Sequence, residues 1–295
     1  MSLIQELKAN LTPDKLFTTA QHFVPQQKLS EVAGQLASSQ NPLVKKAFVQ
    51  TFAKAYVITL DEYARQSLDD YASFNDFFTR ELGDNARPID DTTNGIVCPA
   101  DGTVSQIGQI SRGQLLQAKG KTYDLKGLLA SPITKDYASE TVNYEGGSFA
   151  TVYLAPSNYH RVHMPFTGTL IETRYVPGEL FSVNDVTAQN VPDLFARNER
   201  LVCVFDTDYG NCAVVLVGAM IVAGIETVAT GKISRSNNIQ TQTHDMTLKK
   251  GEELGRFYLG STAIVIMPKR AGVTWQSDLG HGSVVKMGEL IGMAK

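Results

Sequence analysis

The sequence is poor in the residues that mark several classes of protein. It has three cysteines, at 98, 203 and 212, and no CxxC motif, which argues against a disulfide framework and fits a reducing compartment. Basic residues do not outnumber acidic ones (27 against 30), so no nucleic-acid partner is expected. Charged residues make up 19% and apolar residues 43%, a balance typical of a globular chain and not of disorder.

Long apolar runs are also missing. The longest, at 212–225, has 14 residues and two internal glycines, whereas a membrane-spanning helix needs about 20 apolar residues. We therefore predict one or two buried strands there. The first residues show no apolar core and no cleavage-site pattern, so a signal peptide is not expected.

Residues 1–82 have helical patterns. Thr12, Pro13 and Asp14 form a helix start, with a hydroxyl cap, a proline at the first helical position and an acid in the first turn. The stretch at 73–76 is a variant capping box that predicts a further short helix. We expect a helical N-terminal region.

An amphipathic helix is predicted at 43–60. Apolar residues recur there at three- and four-residue steps, with Lys46, Gln50 and Lys54 on the opposite side. Such a helix either packs on its own domain or lies in a membrane surface, and the pattern leaves both open. The first 60 residues carry six lysines and three acids, a net charge of +3, and the remainder carries −6. A basic segment ahead of an acidic body suits an anionic membrane surface.

From about residue 95, short β-rich runs alternate with turn residues. Because regular strand–helix alternation is missing, a doubly wound parallel sheet is not expected. The polar stretch at 232–250 predicts an exposed loop or hairpin. We predict an α+β fold, in which a helical region (1–82) packs on a mostly antiparallel β body with mixed short helices (83–295).

Three places carry residues suited to chemistry. His160 and His163 flank an arginine after a strand-like run, which suits acid–base work better than metal binding, since a zinc site needs three or four ligands. Asp101 lies at a turn between two strand-like runs. Gly260 and Ser261 precede a buried strand but lack the GxSxG pattern of α/β-hydrolases. Read singly, each place is also compatible with a purely structural role.

Taken together, the sequences around these three places resemble those of a known protein family. In its short sequence blocks and in their order along the chain, this protein is similar to the membrane-associated bacterial phosphatidylserine decarboxylases that make their own pyruvoyl group. The resemblance covers about residues 65–290. The matching stretches are 74–80 (FNDFFTR), 87–90 (RPID), 99–102 (PADG), 116–120 (LQAKG), 159–165 (YHRVHMP), 175–184 (YVPGELFSVN), 190–200 (NVPDLFARNER), 255–257 (GRF) and 259–262 (LGST).

The resemblance implies a self-cleaving proenzyme. Ser261 would attack the carbonyl of Gly260, activated by an Asp–His–Ser relay made of Asp101 and His163. His160 would assist the decarboxylation. Ser261 would become a pyruvoyl cofactor, which would form a Schiff base with phosphatidylserine and release carbon dioxide and phosphatidylethanolamine. No metal is implied.

Further expectations come with the same resemblance. Cleavage would leave a β chain (1–260) and an α chain (261–295) as a heterodimer, and these units would form a homo-oligomer. The enzyme would bind peripherally to the cytoplasmic face of the cytoplasmic membrane, where anionic phosphatidylserine lies. One departure is Asn158, where related sequences often have aspartate. An acid that tunes the two histidines would be missing at that position.

Three other functions stay open from the residues alone. A serine hydrolase could use Ser261, His163 and Asp101 on an external ester, and its chain would remain intact. A pyruvoyl decarboxylase could act on a soluble amino acid without lipid. A non-enzymatic membrane-associated scaffold would keep its chain length and properties when Ser261 is replaced.

Overall fold

The computed structural model describes residues 12–130, 144–220, 224–258 and 260–295. Seven α-helices occur within them: α1 Pro13–Phe23, α2 Gln26–Ala37, α3 Pro42–Ala55, α4 Phe74–Phe78, α5 Leu125–Leu129, α6 Asp185–Asn190 and α7 Leu194–Arg197. Short 3-10 turns cover Leu68–Asp70 and Lys269–Ala271. The strands are β1 Gly95–Val97, β2 Gly102–Gln109, β3 Gln114–Ala118, β4 Lys121–Asp124, β5 Ser148–Leu154, β6 Arg161–His163, β7 Gly168–Val176, β8 Arg200–Asp206, β9 Cys212–Val217, β10 Ile225–Thr227, β11 Gly231–Lys232, β12 Gln240–Leu248, β13 Glu253–Phe257, β14 Ser261–Met267, β15 Thr274–Trp275, β16 Val284–Val285 and β17 Leu290–Met293.

An eight-stranded antiparallel sheet forms the centre of the molecule, in the order β12-β7-β8-β9-β14-β5-β2-β16. Strand β14 lies between β9 and β5, and all seven of its residues are buried. Both faces of this strand are covered, which is why its sequence is a continuous run of apolar and small residues instead of an alternating one. The strand is therefore held on both edges and both faces.

Two apolar layers cover the two faces of this sheet. Along β14, Ala263, Val265 and Met267 join one layer, and Ile264 and Ile266 join the other, as the alternation of side chains along a strand requires. The first layer includes residues from two smaller sheets, of orders β1-β17-β15 and β11-β10-β13-β6. The second layer includes residues of the β3–β4 hairpin and of helices α5 and α7.

The helical start of the chain is confirmed. Thr12 Oγ1 accepts a hydrogen bond from the N–H of Lys15 at 3.3 Å, and Ser73 Oγ accepts one from Asp76 at 3.2 Å, so both predicted caps form. Helix α3 occupies most of the predicted amphipathic segment but ends at Ala55, and Val57 adopts a φ of +52°. A third apolar cluster joins residues of α2, α3 and α4 to Tyr159 and Met287 of the β body. The α+β architecture is thus confirmed.

Two strand predictions had different outcomes. The apolar run at 212–225 forms β9 and the first residue of β10, as predicted. The polar stretch at 232–250 is largely exposed, as predicted; residues 233–239 form a loop, whereas 240–248 form the edge strand β12, paired antiparallel with β7. Strand β12 lacks the alternation by which strands are recognised because nearly all of its residues face solvent. The boundary at residue 82 stays a prediction.

Arg80 connects the helical region to the β body. Its guanidinium is fully buried, lies 4.4 Å from the ring of Tyr63, and donates to the Tyr63 hydroxyl at 3.0 Å. It also donates to the carbonyl oxygens of Ser157 at 3.0 Å and Asn158 at 3.3 Å. These two carbonyls belong to the turn that leads into His160, so the hydrogen bonds of this arginine stabilise the turn.

Replacing Arg80 by methionine should destabilise the chain by about 2 kcal/mol, because two buried carbonyls and a hydroxyl lose their donor. The free energy of unfolding would be measured by urea titration in a Ser261→Ala background, which keeps the polypeptide in one piece. Arg270→Met, which removes an exposed bond to the carbonyl of Asp208, is the matched control. Equal or higher stability of Arg80→Met would mean that the cost of burying the charge exceeds the value of its bonds.

Candidate active site

Three strands bring Ser261 and Asp101 to the same end of the large sheet. Thr103 of β2 and Thr262 of β14 both lie opposite Tyr153 of β5. Ser261 is therefore in the same row as the first residue of β2, and Asp101 immediately precedes that residue. Residues 160 places apart in sequence thus meet because the two strands flank a common neighbour.

The two histidines join this end through the smaller sheet. Strand β6, which ends at His163, pairs with β13, and the chain runs from β13 towards Ser261. The N–H of His163 donates to the carbonyl of Pro99 at 2.7 Å, beside the Asp101 turn. The carbonyl of His160 accepts from the N–H of Phe257 at 3.0 Å. The structure therefore gathers all four predicted residues around the start of β14.

Ser261 is completely buried, and its Oγ has no hydrogen-bond partner among the described residues. A buried hydroxyl without a partner costs about 1–3 kcal/mol, so structural stability does not explain it. The preceding Gly260 has a φ of +38°, in the left-handed region that favours glycine. A Cβ at this position would meet no atom within 4 Å, so the backbone conformation, and not crowding, calls for glycine.

His163 is held as one neutral tautomer. Its Nδ1 lies 2.8 Å from the carbonyl oxygen of Gly251, which can only accept, so Nδ1 carries the hydrogen. Its Nε2 lies 2.9 Å from the hydroxyl of Tyr159, which donates to it. Partial burial lowers the pKa of His163 below its ordinary value, against a smaller raising effect of this backbone hydrogen bond. The ring therefore presents a basic lone pair at Nε2 near neutral pH.

His160 is fully buried and also neutral. Its Nε2 donates to the carbonyl of Ala155 at 3.1 Å, and its ring stacks on Phe78 with centroids 4.1 Å apart. Burial, followed by the charge of Arg80, lowers the pKa of His160 to about 3. Its Nδ1 has no partner among the described residues, and since Nε2 carries the hydrogen, Nδ1 is a free lone pair. His160 cannot act as a ready-made imidazolium acid at neutral pH.

Asp101 binds an arginine that the sequence analysis did not single out. Arg87 donates to the Asp101 carboxylate through Nε at 3.0 and 3.1 Å and through Nη2 at 2.6 Å. The N–H of Met287 adds a fourth bond at 2.9 Å. Among the described residues the carboxylate makes no hydrogen bond with His163, whose two nitrogens contact Gly251 and Tyr159. The direct Asp101–His163 relay therefore stays a prediction, and the charge of Asp101 acts on His163 through space.

No group of three or more His, Cys, Asp and Glu side chains within residues 12–130, 144–220, 224–258 and 260–295 is placed to hold a metal ion. The three cysteines are buried, Cys98 beside the Asp101 turn with its Sγ 3.1 Å from the carbonyl oxygen of Ala100, and burial raises the pKa of each thiol to about 12. The site thus offers a hydroxyl, two neutral imidazoles and a carboxylate.

Comparison with known proteins identifies the family of this chain. The sequence model of the family described as phosphatidylserine decarboxylase matches residues 74–293, and a second one, described as PSD, matches residues 16–57. The chain belongs to the phosphatidylserine decarboxylase family. It is 68% identical over 280 residues to the phosphatidylserine decarboxylase proenzyme of Psychrobacter arcticus, with 95% of this chain and 99% of the relative covered.

Other members of the phosphatidylserine decarboxylase family are similar over the same length. The proenzyme of Acinetobacter baumannii strain AYE is 54% identical over 278 residues, with 94% of this chain and 96% of the relative covered. That of Acinetobacter baylyi is 51% identical over 294 residues, covering 100% and 99%. The resemblance found from the sequence blocks is therefore confirmed.

Asn158, the one departure from the family pattern, has a structural role here. Its Oδ1 accepts a hydrogen bond from the N–H of Ala155 at 2.8 Å, and its own N–H donates to the carbonyl of Ala155 at 2.9 Å. The same carbonyl oxygen accepts the hydrogen bond from Nε2 of His160. An aspartate would accept the same bond, so asparagine keeps the turn and removes one negative charge from beside the histidine.

Acidification should destabilise the chain through His160. The unfolded chain binds a proton near pH 6.5, but the folded chain does not until about pH 3, so stability falls as pH drops between these values. One such group contributes a slope of about 1.4 kcal/mol per pH unit. In the Ser261→Ala background, His160→Gln should reduce the slope between pH 6.5 and 5 by about that amount. His281→Gln, at a half-exposed site, is the control, and an unchanged slope in His160→Gln would contradict burial of the neutral ring.

Proposed function

We propose that this chain cleaves itself between Gly260 and Ser261 and converts Ser261 into a pyruvoyl group. The chain is a phosphatidylserine decarboxylase made as a proenzyme, the name carried by relatives up to 68% identical over 95% of its length. The observation that supports the cleavage site is the buried Ser261 hydroxyl, which lacks a partner and follows a glycine in the left-handed region. The unpartnered hydroxyl is costly for stability, and glycine allows the left-handed conformation at the bond that the hydroxyl would attack.

The proposed cleavage is an acyl shift followed by elimination. Ser261 Oγ loses its proton and bonds to the carbonyl carbon of Gly260, while the peptide C–N bond breaks and the nitrogen of Ser261 gains a proton. Removal of the Cα proton then expels the Gly260 carboxylate from Cβ. The new terminus rearranges to an imine, takes up one water and releases one ammonia. The products are a chain ending at Gly260 and a chain beginning with a pyruvoyl group.

We assign the first proton transfer to Nε2 of His163. The carbonyl of Gly251 holds the hydrogen on Nδ1, so the lone pair is on the nitrogen now facing Tyr159. To accept the proton of Ser261, this nitrogen exchanges the Tyr159 hydroxyl for the serine. Asp101 stabilises the imidazolium that forms by its charge, and Arg87 keeps the carboxylate in place.

The residues present fit a pyruvoyl group. Ser261 is buried at the start of a strand held between β5 and β9, so the short C-terminal chain stays bound after cleavage. A pyruvoyl group supplies an electron sink for the charge that loss of carbon dioxide leaves on the substrate carbon. We assign to His160 a hydrogen-bonding role in the decarboxylation, as an acceptor through its Nδ1 lone pair, which has no partner among the described residues.

A lipid substrate also accounts for the surface of the helical region. Among the described residues, 10 of the 15 exposed large apolar side chains lie between residues 16 and 57. We call this set the apolar face: Leu16, Phe17, Phe23, Leu29, Val32, Leu36, Leu43, Phe48, Tyr56 and Val57. Such a concentration is typical of a surface that contacts a membrane. In the described part of the chain, none of the helices has the length and apolar character to cross a bilayer.

A groove of about 520 Å³ in this region leads towards the site. It lies between α2, α3 and α4, and its lining is almost entirely apolar. Phe52 and Phe74, which line it, both contact Phe78, and Phe78 stacks on His160. We propose that an acyl chain of the lipid occupies this groove, which the buried ring of Phe78 separates from His160. We therefore propose peripheral binding to the cytoplasmic face of an anionic membrane, with the head group at Ser261.

The mass of the purified protein tests the cleavage. We expect two chains divided between Gly260 and Ser261, the smaller lighter by one ammonia than the corresponding hydrolysed peptide. Ser261→Ala should remain one chain because no hydroxyl can attack, and His163→Ala and Asp101→Asn should slow the conversion by about a hundredfold or more. Ser148→Ala, at the far end of β5, is the matched control.

Three outcomes would contradict this assignment. A cleaved Ser261→Ala protein would exclude the serine as nucleophile. An uncleaved wild-type chain whose Ser261 reacts with an active-site serine reagent would favour a serine hydrolase. Turnover of free serine at the rate of phosphatidylserine, without vesicle binding, would favour a soluble substrate.

Vesicle sedimentation tests the membrane surface. The double variant Leu43→Ser and Val57→Ser removes two highly exposed members of the apolar face and should lower vesicle binding roughly tenfold. Val284→Ser changes an equally exposed side chain on the β body and should not alter binding. Equal loss in both variants would refute a localised membrane surface.

The basic residues of the same region give an electrostatic prediction. Replacing Lys45, Lys46 and Lys54 by glutamine should weaken binding to anionic vesicles, by about 1 kcal/mol for each lysine near the surface, and should leave binding to neutral vesicles unchanged. The loss should shrink as salt rises. Unchanged binding to anionic vesicles would exclude these lysines from the contact.

A further inference from the structure

Tyr258 lies between the stretches 255–257 (GRF) and 259–262 (LGST) that resemble the family, and it belongs to neither of them. Strand β13 ends at Phe257 and β14 begins at Ser261, so three residues link the two sheets and carry the bond that the proposed function cuts. Tyr258 is the first of these three. Ser261 at the other end is fixed by pairing with Leu154 of β5.

Three contacts hold Tyr258. Its N–H donates to the carbonyl of Gly224 at 3.0 Å, which continues the pairing of β13 with β10 by one residue. Its hydroxyl donates a short hydrogen bond to the carboxylate of Glu226. The ammonium of Lys232, on the next strand β11, lies 4.8 Å from the centre of its ring. Backbone, hydroxyl and ring are thus all held against the small sheet.

We infer that the Tyr258–Glu226 contact positions the Gly260 carbonyl for attack by Ser261, and that Tyr258 is a positioning residue for self-cleavage. The inference rests on the proposed function. Because β14 is buried and paired on both edges, Ser261 cannot shift to meet the carbonyl. The approach of the reacting atoms therefore depends on where the three-residue connection is held at its first residue.

The surroundings of this contact keep the Tyr258 hydroxyl protonated. Burial raises the pKa of Tyr258, and the hydrogen bond to Glu226 and its charge raise it further, so the hydroxyl remains a donor at neutral pH. Arg256, on β13, lies 3.8 Å from the Glu226 carboxylate and also bonds Glu253. With Lys232 over the ring, two cations lie beside this contact, and a hydrogen bond to a carboxylate is stronger than one between neutral groups.

The test is the rate of conversion of freshly synthesised precursor, followed by gel and mass. Tyr258→Phe should lengthen the half-time about tenfold, the order expected for loss of one charge-assisted hydrogen bond. Glu226→Gln keeps an acceptor oxygen and should slow conversion less. Tyr209→Phe, which removes a hydroxyl bonded to Asn94, is the matched control. The turnover number per cleaved chain should be unchanged in Tyr258→Phe.

A double-mutant comparison separates positioning from general destabilisation. If the two side chains act through their mutual contact, the combined Tyr258→Phe and Glu226→Gln variant should be no slower than Tyr258→Phe alone. Additive slowing, or conversion of Tyr258→Phe at the wild-type rate, would overturn the inference. So would a lowered unfolding midpoint of Tyr258→Phe in the Ser261→Ala background that accounts for the slower conversion.

Different experimental results would contradict this inference and the proposed function. If the wild-type chain is not cut between Gly260 and Ser261, the proposed function itself fails. If the wild-type chain is cut there and Tyr258→Phe is cut equally fast, the proposed function stands and only the role of Tyr258 is refuted.

Discussion

The pairing of β14 with β5 and β9 is the constraint on which the rest of the structure depends. It places Ser261 at the start of a strand whose every residue is buried, and it aligns that start with the Asp101 turn two strands away. The same hydrogen bonds hold residues 261–295 to the rest of the chain without any need for the peptide bond before Ser261. A proenzyme of this design can therefore be cut at a central strand and still keep its core.

Burial decides the chemistry of the two histidines. Each ring donates one hydrogen to a backbone carbonyl, which selects a tautomer, and removal from water disfavours the charged form of both. Both rings are therefore neutral near pH 7. The negative charge of Asp101 is meanwhile held by Arg87, which limits its effect on His163 to a field acting over a distance. The two imidazoles are thus placed to accept a proton and not to donate one as an imidazolium.

Polar contacts help to attach the first two helices to the β body, beside the apolar cluster that joins α2, α3 and α4 to it. Gln21 accepts from the N–H of Ser182 at 2.8 Å, and Gln26 accepts from that of Leu180 at 2.7 Å. These bonds to main-chain groups fix α1 and α2 without consuming their apolar residues. The apolar face therefore remains exposed, and the groove between α2, α3 and α4 remains open.

Much of this protein was determined by local sequence. The helix caps at Thr12 and Ser73, the buried strands at 212–225 and the four residues of the site follow from short-range patterns or from the family blocks. Tyr159 is only four residues from His163, but the contacts of Arg87 with Asp101 and of Gly251 with His163 do not follow from such patterns, because only the folded chain brings these pairs together. Strand β12 was missed because an exposed edge strand needs no apolar alternation. Sequence alone determined which chemical groups are present, whereas the tertiary structure decided their charge states and contacts, since burial and long-range pairing exist only in the folded chain.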